Sequence, residues 1–398
     1  GNSMSAPTAG GVSIYAASGP VLHHWAADVA TCTLRPTGNS VRMPQNIQYA
    51  WPDAARRHLY ACSSNVAKKV ASGAPSHHRQ AFRIDPQTGD LSPYGDPIAL
   101  PWRPVHMTLD EAGRHALVVY PDPPRGTVHR IEADGRFGAD VPQPQDLGCG
   151  EFPHQVRILP NGGGVVIVCR GYNPEEGRGE VPGVLKLYDY RDGILTPRGS
   201  IAPGNGYGFG PRHIDFHPSG RWLYASLERQ NKLQVFSLEG KTISAAPIFE
   251  RDNLKDRASA PHHQMVGTVR IHPTGRFAYV ANRCSETVDY QGRKVSAGGE
   301  NSLAVYAINQ STGEPTLIQH CDTRSIHVRT FNTDPSGRML VAASIEALDV
   351  REGDAVKTLP ARLTTYRVGD DGKLDFVAAY DVPTSGLERM FWMGVVGR

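Results

Sequence analysis

Arginine, histidine and glutamate residues stand at one recurring position of this sequence, where an apolar segment begins or ends. Arg212 precedes the segment IDFHPSGRWLYASLE (214–228), which ends at Glu228, and Arg283 ends a second such segment, VRIHPTGRFAYVANR (269–283). A guanidinium group can hold an anion or a polarised carbonyl oxygen, and a carboxylate or an imidazole can move a proton. If the segments lie side by side, the sequence predicts a polar site for acid–base chemistry on an anionic ligand.

These segments are copies of an internal repeat: an apolar stretch, a turn of the type Pro-x-Gly-Arg, and a second apolar stretch. Its turn glycines lie at positions 113, 163, 220, 275 and 337. Alternating apolar residues on both sides of such a turn predict a β-hairpin, and a second strand pair follows each copy. Four strands in roughly 55 residues are typical of a β-propeller blade. The other copies are MTLDEAGRHALVVY (107–120), FNTDPSGRMLVAAS (331–344) and the degenerate IQYAWPDAARRHLYACSS (47–64) and VRILPNGGGVVIVCR (156–170).

Six blades can be counted, and apolar strand segments remain at both ends of the chain. They are VSIYAAS (12–18), VLHHWAADVATCTL (21–34) and ERMFWMGVVG (388–397). Apolar strands left unpaired promote aggregation, so we expect them to share a blade. The sequence therefore predicts an all-β, seven-bladed propeller with four-stranded antiparallel blades, closed by N- and C-terminal strands in one blade. We expect one domain over 11–398, and we interpret 1–10 as a tag scar and a disordered N-terminus.

The innermost strand of each blade lines the axial channel, and the irregular loops are predicted to share the face where that strand begins. Long loops on one face of a rigid scaffold usually build a binding site. The glycine-rich loop Pro203–Gly210 also leads to this face, and we expect it to be functional. The side chains expected at the channel rim are His106, His154, Arg212, His213, Glu228, Arg283, His327 and Arg329. Counting back from the turn places His213 opposite Glu228.

At these residues the chain resembles the seven-bladed β-propeller lactonases, which include 6-phosphogluconolactonase-like enzymes and a fungal carboxy-muconate lactonizing enzyme. The matching motifs are PHQVRILPNG (153–162), GPRHIDFHPSGRWLYASLE (210–228), HPTGRFAYVANR (272–283) and VRTFNTDPSGRMLVAAS (328–344). The similarity runs from about residue 40 over nearly all of the remaining chain. In the lactonizing branch a His, an Arg, a Glu and a second Arg are implicated in the site. The resemblance therefore implies catalytic roles for His154, Arg212, Glu228 and Arg283.

One departure bears on the substrate. The family often ends a strand of its first countable blade in Asn-Glu, whereas this chain has Ser63-Ser64. We therefore expect its substrate to differ from that of the phosphogluconolactone enzymes.

Each candidate residue has a chemical and a structural interpretation. Arg212 and Arg283 can hold a carbonyl oxygen or a carboxylate, or they can form a structural salt bridge with Glu228. Glu228 is the candidate general base or acid, and His154 is the alternative base or a hydrogen-bonded rim histidine. His213 is expected to support Glu228 or to pack beside the channel. The remaining predicted substrate-binding residues are Arg329, His106 and His327.

Three functions remain open. The first is hydrolysis of a small anionic lactone, from sugar-acid or aromatic catabolism, by a carboxylic ester hydrolase. The second is the reverse ring closure by a muconate-type cycloisomerase, an intramolecular lyase that could use the same residues. The third is a non-catalytic binding platform, which the convergent charged residues disfavour.

The composition limits which binding partners and which cellular location we expect for this protein. A net charge of +3, from 42 basic and 39 acidic residues, gives no footprint for nucleic acid. We expect no membrane span, since no apolar stretch approaches about 18 residues. With no visible signal peptide and scattered cysteines, we expect a cytoplasmic location. A closed propeller needs no partner for its stability, so we expect a monomer.

We expect no cofactor and no metal site. The six cysteines show no C-x-x-C spacing. Histidine pairs at His23-His24, His77-His78 and His262-His263 keep a divalent metal open as the alternative.

Overall fold

The computed structural model describes residues 11–67, 70–71 and 73–398, and its main feature is a ring of seven antiparallel sheets. Their innermost strands contact one another in sequence around the ring. The predicted seven-bladed, all-β propeller is therefore confirmed. The interpretation of residues 1–10 lies outside the described residues.

Each blade has strands A to D from the channel outward. Blade 1 contains Trp392–Gly397 (A), Val12–Ser18 (B), Val21–Asp28 (C) and Thr33–Arg42 (D). Blade 2 contains Asn46–Pro52, His58–Ser64, His77–Ile84 and, outermost, Leu91–Pro93 with Ile98–Ala99. Blade 3 contains His106–Leu109, His115–Tyr120, Arg125–Ile131 and Phe137–Asp140. Blade 4 contains Pro153–Ile158, Gly164–Cys169, Val184–Arg191 and Ile194–Ile201.

The last three blades follow the same order. Blade 5 contains Pro211–Phe216, Trp222–Leu227, Lys232–Glu239 and, outermost, Thr242–Ile243 with Phe249–Asp252. Blade 6 contains Met265–Ile271, Phe277–Arg283, Ser302–Ile308 and Pro315–Asp322. Blade 7 contains Val328–Thr333, Met339–Ser344, Arg362–Val368 and Leu374–Asp381. Loop hairpins are Val66–Ala67 with Val70–Ala71, Thr287–Tyr290 with Arg293–Ser296, and Leu348–Glu352 with Ala355–Leu359; short 3-10 turns are Pro203–Gly206 and Arg257–Ser259.

Blade 1 closes the ring as predicted. Its strand A, from the C-terminus, pairs antiparallel with strand B, from the N-terminus, in a register that joins Val12 to Gly397 and Ala17 to Trp392. Beyond the ladder, the Arg398 guanidinium donates to Ser13 Oγ at 2.5 Å. The two ends of the chain thus complete one sheet.

The turn between strands A and B needs a left-handed residue, which explains the recurring glycine. Gly220, for example, has φ 73° and donates its N–H to the carbonyl of His217. Glycine adopts this conformation without the steric cost that a Cβ brings. In blade 4 the left-handed residue is Gly162 rather than the expected Gly163, and in blade 2 Arg56 takes the position at φ 56°.

The apolar core lies between neighbouring blades, where the faces of adjacent sheets pack together. At four of these interfaces a tyrosine on strand B also forms a hydrogen bond to the neighbouring blade. Each buried hydroxyl donates to the carbonyl of a glycine in the C–D turn of the next blade. The pairs are Tyr15 with Gly89, Tyr60 with Gly135, Tyr224 with Gly313 and Tyr279 with Gly372, at 2.5, 2.6, 2.7 and 2.8 Å.

Among the described residues, no helix has the length and apolar character that a membrane crossing requires.

We expect Tyr279→Phe to lower the free energy of unfolding by about 1–3 kcal/mol, since it leaves the buried Gly372 carbonyl without its donor. Thermal and urea denaturation measure the change. Tyr207→Phe is the matched control, because Tyr207 is 57% exposed. Equal stability of the two variants would show that the interblade hydrogen bond contributes nothing.

Candidate active site

In several blades the inner strand, strand A, has a β-bulge near its N-terminal end. In blade 4, Pro153 pairs with Cys169 and Gln155 with Val168, which leaves His154 without a ladder partner. In blade 5, Pro211 pairs with Leu227 and His213 with Ser226. A bulge turns its extra residue out of the regular pleat and re-aims its side chain. The bulged residues are Gln48, His154, Arg212 and Arg329, and the blade 6 irregularity includes Gly267.

The bulge also corrects one expectation. His213 was predicted to lie opposite Glu228, but Ser226 is its partner in the register. The extra residue at Arg212 displaces the pairing, and a sequence pattern does not reveal such an insertion.

The strand B ends of blades 4, 5 and 6 bring Arg170, Glu228 and Arg283 together. Arg170 Nη1 donates to Glu228 Oε2 and Arg283 Nη2 donates to Oε1, each at 2.5 Å. Arg212 Nε lies 3.1 Å from Oε1. The Glu228 side chain is only 4% exposed, so these charges meet away from water. Three guanidinium groups therefore surround one buried carboxylate.

Arg283 is held in place by its own surroundings. A Cβ at Gly267 would lie 3.3 Å from Arg283 Nε, so the glycine leaves room for this side chain. Arg283 Nη1 also donates to His327 Nε2 at 2.8 Å, and His327 Nδ1 lies 3.1 Å from Ser285 Oγ. His327, predicted to bind substrate, thus lies against Arg283 in the structure.

Three histidines form a second group beside the arginines. The ring of His213 lies 5.1 Å from that of His154 and 5.6 Å from that of His106, between centroids. His213 Nδ1 shares a hydrogen bond of 2.7 Å with Thr268 Oγ1. Of the two roles expected for His213, the structure supports packing beside the channel.

His154 has a free ring nitrogen next to the arginines, and His106 Nε2 is also buried without a partner among the described residues. The ring of His154 stacks on Phe152, and its buried Nδ1 has no hydrogen-bond partner within the described part of the chain. Burial, reinforced by Arg212 and Arg329, lowers the pKa of His154 well below the usual histidine value. The ring is therefore neutral near pH 7 and can accept a proton.

The pKa of Glu228 reflects two opposing effects. Burial raises the pKa, but the guanidinium groups of Arg170, Arg283 and Arg212 outweigh it and hold the pKa at about 2. Burial and the nearby charge of Arg283 lower the pKa of Arg329 to about 9. Glu228 is thus ionised at any physiological pH.

Positive charge exceeds negative charge at this site. Arg329 adds to the three arginines around Glu228, and Arg103 Nε donates to the bulged residue Gln48 at 3.3 Å. Arg212 is 1% exposed, and its buried Nη1 makes no hydrogen bond to any described residue. A buried guanidinium with unused donors can hold an oxyanion or a carboxylate.

Three members of this site, Arg170, Gln48 and Arg103, were not among the predicted residues. A signal for Arg170 was present, because the repeat copies 156–170, 214–228 and 269–283 end in Arg, Glu and Arg. Gln48 and Arg103 have no comparable signal.

The glycine-rich loop Pro203–Gly210 has a structural explanation. A Cβ at Gly206 would lie 2.4 Å from the Gly183 carbonyl oxygen, and one at Gly210 would lie 2.4 Å from Arg229 Nε. The glycines permit this close packing in front of strand A of blade 5.

Within the ranges that the structure describes, no three His, Cys, Asp or Glu side chains are grouped so that they could hold a metal. His24 bonds to Asp90 and Ser13, and His77 bonds to Ser64.

Comparisons with known proteins bear on this geometry. The 6-phosphogluconolactonase of Bacillus subtilis is 28% identical over 280 residues, which cover 67% of this chain and 70% of that protein. That of Pectobacterium atrosepticum is 26% identical over 306 residues, covering 76% and 79%.

Solved structures show the same fold. A protein described as a putative 6-phosphogluconolactonase from Bacteroides uniformis matches with a TM-score of 0.71 and 18% identity, over 97% of this chain and 100% of that one. The periplasmic gluconolactonase of Pseudomonas aeruginosa matches with a TM-score of 0.69 and 18% identity, over 97% and 99%.

The family model described as "Lactonase, 7-bladed beta-propeller" matches residues 9–351. This match covers most of the sequence and agrees with the blade count. The protein therefore belongs to the seven-bladed β-propeller lactonase family of lactone-hydrolysing enzymes.

Proposed function

We propose that this protein hydrolyses a small anionic lactone, of sugar-acid or aromatic-catabolic origin, at the arginine cluster around Glu228. The observation that carries the proposal is Arg212, a buried guanidinium whose Nε pairs with Glu228 at 3.1 Å but whose Nη1 has no hydrogen-bond partner among the described residues. Taking an ion out of water costs several kcal/mol, and one carboxylate cannot compensate an excess of buried arginines. An anionic ligand supplies the missing charge.

In this mechanism Arg212 and Arg283 hold the carbonyl oxygen, where negative charge develops as water attacks. His154 Nδ1 takes a proton from that water while the new C–O bond forms. The ring C–O bond then breaks, and the departing alkoxide recovers the proton from His154. The net reaction adds one water to the lactone and yields a hydroxy acid.

Glu228 then acts mainly as a positioning residue. Both of its oxygens accept hydrogen bonds from arginines, and a pKa of about 2 makes it a weak base. Its charge orients Arg170 and Arg283 and partly neutralises them. Arg329, His106, His213 and His327 complete the proposed binding site.

Two other functions have less support. Ring closure of a muconate would use the same residues in reverse, but the relatives named above are lactonases. A non-catalytic platform gives no reason for buried charged groups with unused donors.

We also propose a cytoplasmic monomer. All six cysteines are free thiols, which suits a reducing compartment. Blade 1 closes the ring within one chain, so a second copy is not needed to pair its inner strands.

We expect Glu228→Gln to reduce kcat/KM on the lactone substrate at least 100-fold, because Arg170, Arg212 and Arg283 lose their counter-charge. Hydrolysis of a panel (6-phosphoglucono-, glucono- and muconolactones) is followed by acid release. Glu314→Gln is the control, since Glu314 pairs with Arg251 on the exposed outer edge. Thermal melting shows whether the variant is folded, and Arg170→Lys provides a milder perturbation. Full activity in folded Glu228→Gln would contradict the role given to Glu228.

The pH profile tests His154. The pKa of His154 is lowered in the folded protein, so its base form persists as the pH falls. We therefore expect kcat/KM to decrease only at pH values below about 6.5, the usual pKa of histidine. Arg329→Met removes a nearby positive charge and should move this acid limb to higher pH. Arg276→Met, on an exposed turn, should leave it in place. An acid limb unchanged by Arg329→Met would remove His154 as the titrating base.

The proposed chemistry needs no metal. We expect turnover within twofold of its starting value after dialysis against EDTA, with no gain from added Mg²⁺, Ca²⁺ or Zn²⁺. Loss of turnover that one of these ions restores would establish a metal requirement.

A further inference from the structure

A cavity of about 240 Å³ adjoins the arginine cluster between blades 5 and 6, and Glu228 forms part of its wall. The segment 254–265, which connects these two blades, supplies Ala260, His262 and Gln264 to the lining. The mechanism described above uses none of these three residues. The cavity thus extends the site away from the reacting carbonyl.

Two buried polar atoms of the lining, the acceptor Asn231 Oδ1 and the donor Arg229 Nε, have no partner among the described residues and indicate what this cavity binds. Asn231 lines it and is 7% exposed, yet its Oδ1 accepts no hydrogen bond from the described residues. Its Nδ2 already donates to the Gln264 carbonyl at 2.9 Å. A buried acceptor without a donor is unfavourable, so a ligand O–H or N–H is a favourable partner.

Each arginine in the cavity wall has an acidic partner, although Arg229 keeps one donor, Nε, without a hydrogen bond. Arg229 Nη1 lies 3.0 Å from Glu180, and Arg257 Nε lies 2.8 Å from Asp252. The exposed imidazole of His262 adds a further hydrogen-bonding group at the opening. This lining suits a neutral group rich in hydroxyls better than a second anion.

We propose that the cavity is a subsite for a neutral, hydroxyl-bearing substituent of the lactone, with Asn231 Oδ1 accepting a hydrogen bond from one of its hydroxyls. The proposal rests on the proposed function, since the carboxyl end of the ligand lies at the arginines and the hydroxylated end lies in the cavity. Glu228 lies at the junction of the two.

Binding of two carboxylates tests the subsite without relying on turnover. D-gluconate carries hydroxyls along its chain, whereas pentanoate carries none, and calorimetry gives Kd for both. We expect the wild-type protein to bind gluconate at least tenfold more tightly. Ala260→Trp, which fills the cavity, should remove this preference, and His262→Ala should reduce it severalfold. Ala246→Trp is the matched control on the outer edge of blade 5.

Each outcome decides the proposal. Equal affinities for the two carboxylates, or no gluconate binding by the wild-type protein at millimolar concentration, would overturn the subsite. An unchanged preference in both His262→Ala and Ala260→Trp would also overturn it, and if Ala260→Trp fails to fold, His262→Ala alone decides. Failure of the proposed function is distinct, because it appears as gluconate binding that follows the expected pattern without hydrolysis of any lactone in the panel.

Discussion

Closure of the ring is the constraint on which the rest of the molecule depends. Strand Trp392–Gly397 pairs with Val12–Ser18, and this completes the circle of inner strands. Once the circle is complete, each inner strand has a neighbour on both sides and a fixed height along the channel. The bulges of different blades can then bring side chains from distant parts of the sequence to one level.

The scaffold holds together a set of charges that does not by itself favour folding. Arg170, Arg212 and Arg283 share one carboxylate, Glu228, and burial lowers the pKa of Arg212 and of Arg283, which opposes their ionised forms. Replacing such an ionic cluster by apolar residues is often neutral or stabilising in other proteins. The interblade packing and the tyrosine hydrogen bonds must therefore supply the stability that the cluster does not.

Much of the fold could be predicted from the sequence, because hairpin repeats leave a periodic pattern and the unpaired apolar ends indicate the seventh blade. The residues at the channel rim could be predicted by comparing the repeat copies, which placed His154, Arg212, Glu228 and Arg283 on one face. The bulges could not be predicted, since an extra residue in one strand scarcely alters the alternation. That is why His213 was assigned the wrong partner.

The side-chain partners were harder still to predict. Arg170 lies at the same repeat position as Glu228 and Arg283, so comparing the ends of the copies could have found it. Arg103 lies between strands and outside every copy, and its contact with Gln48 depends on loop geometry that no local pattern encodes.

Gly267 shows how such a ring can vary its chemistry. Where other blades present a side chain from the bulge of strand A, blade 6 has a glycine there, and Arg283 reaches the same region from strand B. The inner hairpin thus offers two attachment points for a functional group, one on each strand. Blade 5 uses both, with Arg212 and Glu228, whereas in blade 6 Arg283 supplies the group from strand B. The ladder between the two strands is made by the backbone, so a change of side chain at either point leaves the strand pairing itself in place. The charges at the channel rim can therefore differ between members of such a fold while the blades keep the same architecture.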